Sequence, residues 1–147
     1  MNTTTLKPFH ELTVGELYGL LKLRSEVFVV EQQSIYHDLD GCDQNALHLL
    51  AQDEQGLAGY VRILPAGLKY DEPAFGRLVV APHARKTGLG STLIHEALSF
   101  IQSRWPNYPT RIEAQAYLKD YYTRFGFAPE GEVYSLDGID HIQMLRK

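Results

Sequence analysis

Between Val79 and Phe100 the chain reads VVAPHARKTGLGSTLIHEALSF. An apolar stretch stops at Pro82, and Arg85, Lys86, Thr87, Gly88, Leu89 and Gly90 follow before an apolar-striped helical pattern begins. Two cations and two glycines thus stand where a strand hands over to a helix. A helix N-terminus presents N–H groups without intrahelical acceptors and the positive end of the helix dipole, a setting suited to phosphate. Gly88 and Gly90 take side chains away where backbone must approach a ligand, while Arg85 and Lys86 offer charge-assisted contacts. The spacing is neither of the two common phosphate motifs. A Walker loop needs a Gly-Lys pair, which is missing, and a dinucleotide fingerprint needs a third glycine where Leu93 stands. What remains is R-x-x-G-x-G, which by itself also fits a glycine-rich turn with nothing bound.

The elements that position this loop can be read from local pattern. Thr13 and Glu16 form a T-x-x-E capping box. Leu17, Leu20, Leu21, Val27 and Phe28 then recur at helical spacing and predict a helix over about 14–30. Residues 33–45 have no period and read as a loop. ALHLLAQ and GLAGYVRIL flank the turn-like DEQG and predict a hairpin. AFGRLVVA is a further strand ended by Pro82. Leu93, Ile94, Ala97, Leu98 and Ile101 share one helical face. TRIEAQA is a short strand, YLKDYYTRF a short helix with Gly126 as its closing glycine, and EVYSLDGIDHIQML a last hairpin about Asp137-Gly138. The order α, β, β, β, α, β, α, β, β predicts an α/β domain, a mixed sheet with helices on its faces. A length of 147 residues without repeats or linkers suits one domain, 1–147.

With the elements in place, LVVAPHARKTGLGSTLIHEAL resembles the central motif of the GNAT N-acetyltransferases: strand, pyrophosphate loop, helix. AQAYLKDYYTRFGF resembles that family's next motif, in which a helical tyrosine stands four residues before the glycine of a terminal Gly-Phe; Tyr122 holds that place ahead of Gly126. ELYGLLKLRSEVFVVEQ, YHDLDGCD and DGIDHIQM extend the likeness to the ElaA-like branch over nearly the whole chain. The resemblance implies a bent mixed sheet in which two parallel strands splay apart to admit acetyl-coenzyme A. It implies that Leu78, Val79 and Val80 offer backbone groups to the pantetheine arm as an added strand would. Arg85 through Gly90 would cradle the pyrophosphate, with Ser91 opening the helix beneath. Gln115 stands where the family often carries an asparagine on the pantetheine, and Lys86 where it often carries glycine. The expected partners are a small-molecule or peptide amine acceptor, with a homodimer left open.

Acetylation of an amine needs an unprotonated nucleophile, donors for the charge that develops on the thioester oxygen, and an acid for the departing thiolate. The Val80 N–H is the expected donor; Pro82 has none to give. The family match makes Tyr122 the expected acid, a phenol being protonated at neutral pH. Glu113, His141 and His48 are the candidate bases, and a water chain is a fourth answer. The resemblance leaves the acceptor undefined.

Charge distribution bears on the acceptor. From Arg24 to Arg62 the chain carries no intervening Lys or Arg, yet holds Glu26, Glu31, Asp38, Asp40, Asp43, Asp53 and Glu54. An acidic rim there would attract a cationic amine, so polyamines, aminoglycoside-like amines or lysine side chains are expected to outperform anionic amino acids. Arg24, Phe28, Glu31, Asp38 and Asp40 are the expected acceptor-side residues. The same stretch resembles acyl-homoserine-lactone synthases, which share the GNAT fold and supply an alternative reading; a CoA-binding sensor without turnover is another. A net charge of −4 speaks against nucleic acid. The lack of any run long enough to cross a bilayer speaks against a membrane. No His/Cys pair has a ligand spacing, so no metal is expected. One cysteine, Cys42, and the lack of a secretory apolar core in MNTTTLKPFHELT place the protein in the cytoplasm.

Overall fold

The computed structural model describes residues 2–147. Seven strands form one sheet in the order β1-β2-β3-β4-β5-β7-β6. They are β1 (Thr3–Pro8), β2 (Leu47–Asp53), β3 (Gly56–Leu64), β4 (Ala74–Val80), β5 (Thr110–Gln115), β6 (Ala128–Leu136) and β7 (Ile139–Arg146). Every neighbouring pair is antiparallel except β4 with β5, which are parallel. Helices α1 (Val14–Arg24), α2 (Leu89–Arg104) and α3 (Lys119–Thr123) cover the two faces. Leu20, Leu23 and Val27 pack on Leu50, Tyr60 and Val79. On the other face Leu93, Ile94, Ala97 and Ile101 of α2 meet Val61, Ile63, Ile112, Ile142 and Met144. Alternation along the strands sends successive side chains to opposite faces. Ile112 and Ala114 therefore join the core under α2, and Glu113 and Gln115 project to the face that carries α1.

Local signals set several of these elements. The capping box closes in both directions: Glu16 N–H donates to Thr13 Oγ1 at 3.0 Å, and Thr13 N–H to Glu16 Oε1 at 2.9 Å. Asp137 and Gly138 both adopt positive φ, 54° and 79°, the tight turn that pairs Leu136 with Ile139. Beyond Arg24 the predicted helix does not continue as an α-helix. Ser25–Glu31 widen into π-helical turns, and the Gln32 N–H reaches back to the Val27 carbonyl at 3.0 Å. Such widening recurs at functional sites. β1 is an element that the pattern of TTTLKP did not announce; it pairs along β2 from Thr3 with Gln52 to Pro8 with Leu47. No helix among the described residues is long and apolar enough to cross a membrane.

Candidate active site

The parallel strands β4 and β5 share a single bridged pair, Ala74 with Arg111. Beyond it they diverge, leaving a wedge between Phe75–Val80 and Ile112–Gln115. The Ala81 N–H is engaged by the Ala58 carbonyl on β3 at 2.8 Å, and Val80 pairs opposite Gly59. In an antiparallel ladder successive residues point their N–H and C=O groups to alternate sides. Those of Val80 consequently face away from β3, into the wedge. A cavity of about 700 Å³ fills this space, lined by Leu78, Val79 and Val80 from one strand and Glu113 and Gln115 from the other, well within the size of a cofactor site.

The glycine loop lies at one end of the wedge. Helix α2 starts at Leu89, its N-cap Gly88 has a φ of 83°, and no side chain caps it. The N–H groups of its first turn are left to an external acceptor. A Cβ added at Gly90 would lie 3.7 Å from Val80 Cγ2 and 3.8 Å from Tyr121 Oη. Gly90 thus keeps open a niche between β4 and α3 at the helix end. Leu89 is buried in the core, so it can offer a ligand only its backbone. Ser91 is the third helical residue, within the first turn and not at its opening. Lys86 is exposed with a φ of 64°. Arg85 reaches the cavity, but its guanidinium is held by Glu31 at 2.8 and 2.9 Å, and its Nε donates to the Val80 carbonyl at 3.3 Å. The arrangement fits a phosphate-bearing cofactor, with the reach of Arg85 conditional on release from Glu31.

Tyr122 stands between core and cavity. Its ring packs against Phe75 and Phe127, the residue is 8% exposed, and it lines the cavity. No described residue bonds its hydroxyl. Burial raises its pKa, with Tyr121 and Tyr117 adding to the effect, so the phenol stays protonated at neutral pH. The chain leaves the helix behind it through Gly126, φ 91°, with Phe127 N–H bonded to the Tyr122 carbonyl at 3.3 Å.

Glu113 and His141 also line the cavity. Glu113 accepts a short hydrogen bond from the Tyr134 hydroxyl and lies 3.7 Å from Lys69 Nζ. The His141 ring stacks on Tyr134 at 6.4 Å between centroids. Its Nδ1 lies 2.8 Å from the Ile139 carbonyl. A carbonyl only accepts, so Nδ1 carries the proton and Nε2 of the neutral ring is a free acceptor. Tyr134 escaped the reading of the sequence, though a signal existed. A two-residue turn at Asp137-Gly138 fixes Tyr134 opposite His141. His48, the third candidate base, is placed elsewhere. It is fully buried, with Nδ1 2.6 Å from Tyr60 Oη and Nε2 2.9 Å from the Asp43 carbonyl, and burial lowers its pKa.

The acceptor-side expectation needs correction. Phe28, Glu31 and Asp40 line the cavity; Arg24 and Asp38 do not. Arg24 is 0% exposed and donates to Asp38 Oδ2 at 2.8 Å, to Asp43 Oδ1 at 2.8 Å and to the Asp38 carbonyl at 2.9 Å. Arg62 holds both carboxylate oxygens of Asp40 at 2.8 Å and Asp43 Oδ1 at 3.0 Å. Arg77 lies 2.8 Å from Asp38 Oδ1. Burial alone would raise Asp40 and Asp43, but bonds to these arginines outweigh it and hold both below the usual carboxylate range. The acidic interval is therefore no open rim. Asp38, Asp40 and Asp43 are neutralised by arginines from α1, β3 and β4, and Glu31 by Arg85. Gln115, expected at the pantetheine, donates to Gln32 Oε1 at 3.3 Å across the wedge. Among the described residues no cluster could hold a metal ion.

Comparison with known proteins agrees with this geometry. The family model described as an acetyltransferase (GNAT) domain matches residues 13–147. Protein ElaA of Escherichia coli is 40% identical over 139 residues, covering 93% of this chain and 91% of ElaA. The crystal structure of E. coli ElaA superposes with a TM-score of 0.93 over 100% of both chains. That of an acyl-CoA N-acyltransferase from Pseudomonas aeruginosa superposes with a TM-score of 0.95 at 40% identity, again over 100% of both. A CoA-dependent acyl-homoserine lactone synthase reaches a TM-score of 0.76 at 14% identity, covering 99% of this chain and 82% of its own; at that identity the likeness is of fold alone.

Proposed function

Because the chain belongs to the GNAT acetyltransferase family, in its ElaA-like branch, we propose that its cavity is the site where an acetyl group passes from acetyl-CoA to a primary amine by direct attack. The observation that carries the reading is the wedge itself: an unpaired strand edge at Val80, a helix N-terminus at one end, and Tyr122 and His141 on the walls of one cavity. Bound acetyl-CoA supplies an activated thioester. The backbone of β4 and the first turn of α2 would hold it, with Arg85, Lys86, Thr87, Gly88 and Gly90 around the diphosphate and Ser91 in the same turn. The Val80 N–H, directed away from β3 into the wedge, would donate to the thioester oxygen on which negative charge develops. His141, on the cavity wall with Nε2 free of any partner among the described residues, accepts the proton of the incoming amine, and Tyr134 and Glu113 keep the imidazole in place. Tyr122 donates its phenolic proton to the departing sulfur.

Thiol release from acetyl-CoA with a panel of small amines tests the reading. The wild type should release thiol only with an amine present, and His141→Ala should lose most of that rate while still binding CoA. Equal rates with and without amine would refute transfer to an acceptor.

A further inference from the structure

Two cations with donors to spare line the chamber beside the wedge, Arg77 and Lys69. Arg77 sits at a bulge of β4 with a φ of 52°, left-handed for a residue with a side chain. Such strain persists only where the surroundings over-determine it, and it gathers at functional sites. The surroundings of Arg77 do fix it. Its Nη2 donates to the Asp38 carbonyl at 3.0 Å and lies 3.4 Å from Asp40 Oδ2, and its guanidinium stands 5.6 Å from the centre of the Tyr36 ring. Its Nη1 has no hydrogen-bond partner among the described residues, and its buried Nε stands 2.8 Å from Asp38 Oδ1 as an ion-pair contact without hydrogen-bond alignment. The side chain is 20% exposed and lines the cavity. The acids it touches are already held by Arg24 and Arg62. In this cluster three arginines balance three aspartates, and Arg77 is the one of the three arginines that lines the cavity and keeps Nη1 unused. Lys69, also on the cavity wall, meets Glu113 only at 3.7 Å.

We propose that the acceptor amine carries a carboxylate, and that Arg77 binds it through Nη1 and so determines acceptor specificity. The inference rests on the acetyltransferase reading of the cavity. An arginine whose Nε and Nη2 are held by neighbours has a fixed plane and a permanent charge, so its Nη1 is pre-oriented to donate to one carboxylate oxygen, which a flexible lysine ammonium does not reproduce. Arg77 precedes Val80 by three residues, at most about 10 Å along a strand, so a spacer of a few methylenes can join carboxylate and reacting amine. This reverses the preference for polyamines that the unpaired count of acids implied.

The test is a series of matched pairs: glycine, β-alanine, 4-aminobutanoate, 5-aminopentanoate and 6-aminohexanoate, each beside the alkylamine of the same carbon number. At the best length the wild type should favour the amino acid in kcat/KM by about 10–100-fold, the range of a hydrogen bond to a charged group. Arg77→Gln should narrow that preference to near unity, and Arg77→Lys should restore part of it. Should both variants misfold, the wild-type pairs decide alone. Alkylamines matched to or faster than their amino acids at every length would overturn the inference and leave the acetyltransferase reading intact. Thiol release with no amine of either class would remove both.

Discussion

Replacing Arg24 tests whether the buried ion cluster is a structural frame. Arg24 makes three bonds at 2.8–2.9 Å to Asp38 and Asp43 with its side chain wholly out of solvent. Arg24→Gln leaves Asp43 with Arg62 alone and takes from Asp38 its bond to Nε. Removing one partner of a buried ion pair costs about 3–5 kcal/mol, because a charge is left without compensation. For a chain of this length that is a fall of about 10 °C in Tm. Urea unfolding at fixed pH measures it, as a lower midpoint with an unchanged m-value. The pH dependence has a definite sign. In the wild type the depressed pKa of Asp43 contributes stability present above its unfolded value, near ~3.9, and lost as pH falls through the folded value. In the variant the weakly compensated carboxylate takes up a proton more readily, and protonation relieves the penalty. The gap between the two proteins should therefore narrow from pH 7 to pH 4. Adding Asp43→Asn should recover part of the loss at pH 7. A loss below about 1 kcal/mol, the size of an exposed pair, or a gap that does not change with pH, would refute the frame.

Three further outcomes follow from the site. Gly90→Glu places bulk and negative charge in the niche between Val80 and Tyr121; a folded variant should show no CoA binding by calorimetry, and undiminished affinity would remove the loop as the diphosphate site. Tyr122→Phe keeps the ring packing on Phe75 and Phe127 and should lower kcat by about 10²–10⁴-fold with little change in acetyl-CoA affinity; full turnover would withdraw the acid role. Glu31→Gln weakens the hold on Arg85 and should tighten CoA while leaving the phosphate-free pantetheine unchanged; weaker CoA binding would mean that Glu31 positions Arg85 instead of competing for it.

The parts legible in the sequence are those whose signals are local. The capping box, the apolar stripe of α2 and the Asp-Gly turn each need only a few consecutive residues. The glycine loop was legible because Pro82, Gly88 and Gly90 limit what the backbone can do there. What escaped depends on pairing at a distance. Counting acids between Arg24 and Arg62 suggested an open anionic surface, but Asp38, Asp40 and Asp43 meet arginines from three elements. Arg62 lies 22 residues from Asp40, and Arg77 lies 39 from Asp38. A linear charge count cannot see a neutralisation that the sheet brings about. β1 was missed for a related reason: Leu6 is the one strongly apolar residue in TTTLKP, so its strand character comes from pairing with β2.

Strand alternation explains how one small sheet serves as both core and reaction floor. Along β5, Ile112 and Ala114 are buried under α2, while Glu113 and Gln115 face the cavity. Along β7, Ile142 and Met144 are buried while His141 lines the cavity. The polar side chains of β5 and β7 that line the cavity therefore alternate with apolar ones buried under α2, and a polar change at Glu113 or His141 need not enter that apolar cluster. Phe75, Ile112, Ala114 and Tyr122 soften this separation, since each belongs to the core cluster and also lines the cavity. The Arg24 cluster is a second meeting point: it is buried like a core and ends at Arg77 on the cavity wall. Substitutions inside that cluster should move stability first, and acceptor preference only where they release Arg77.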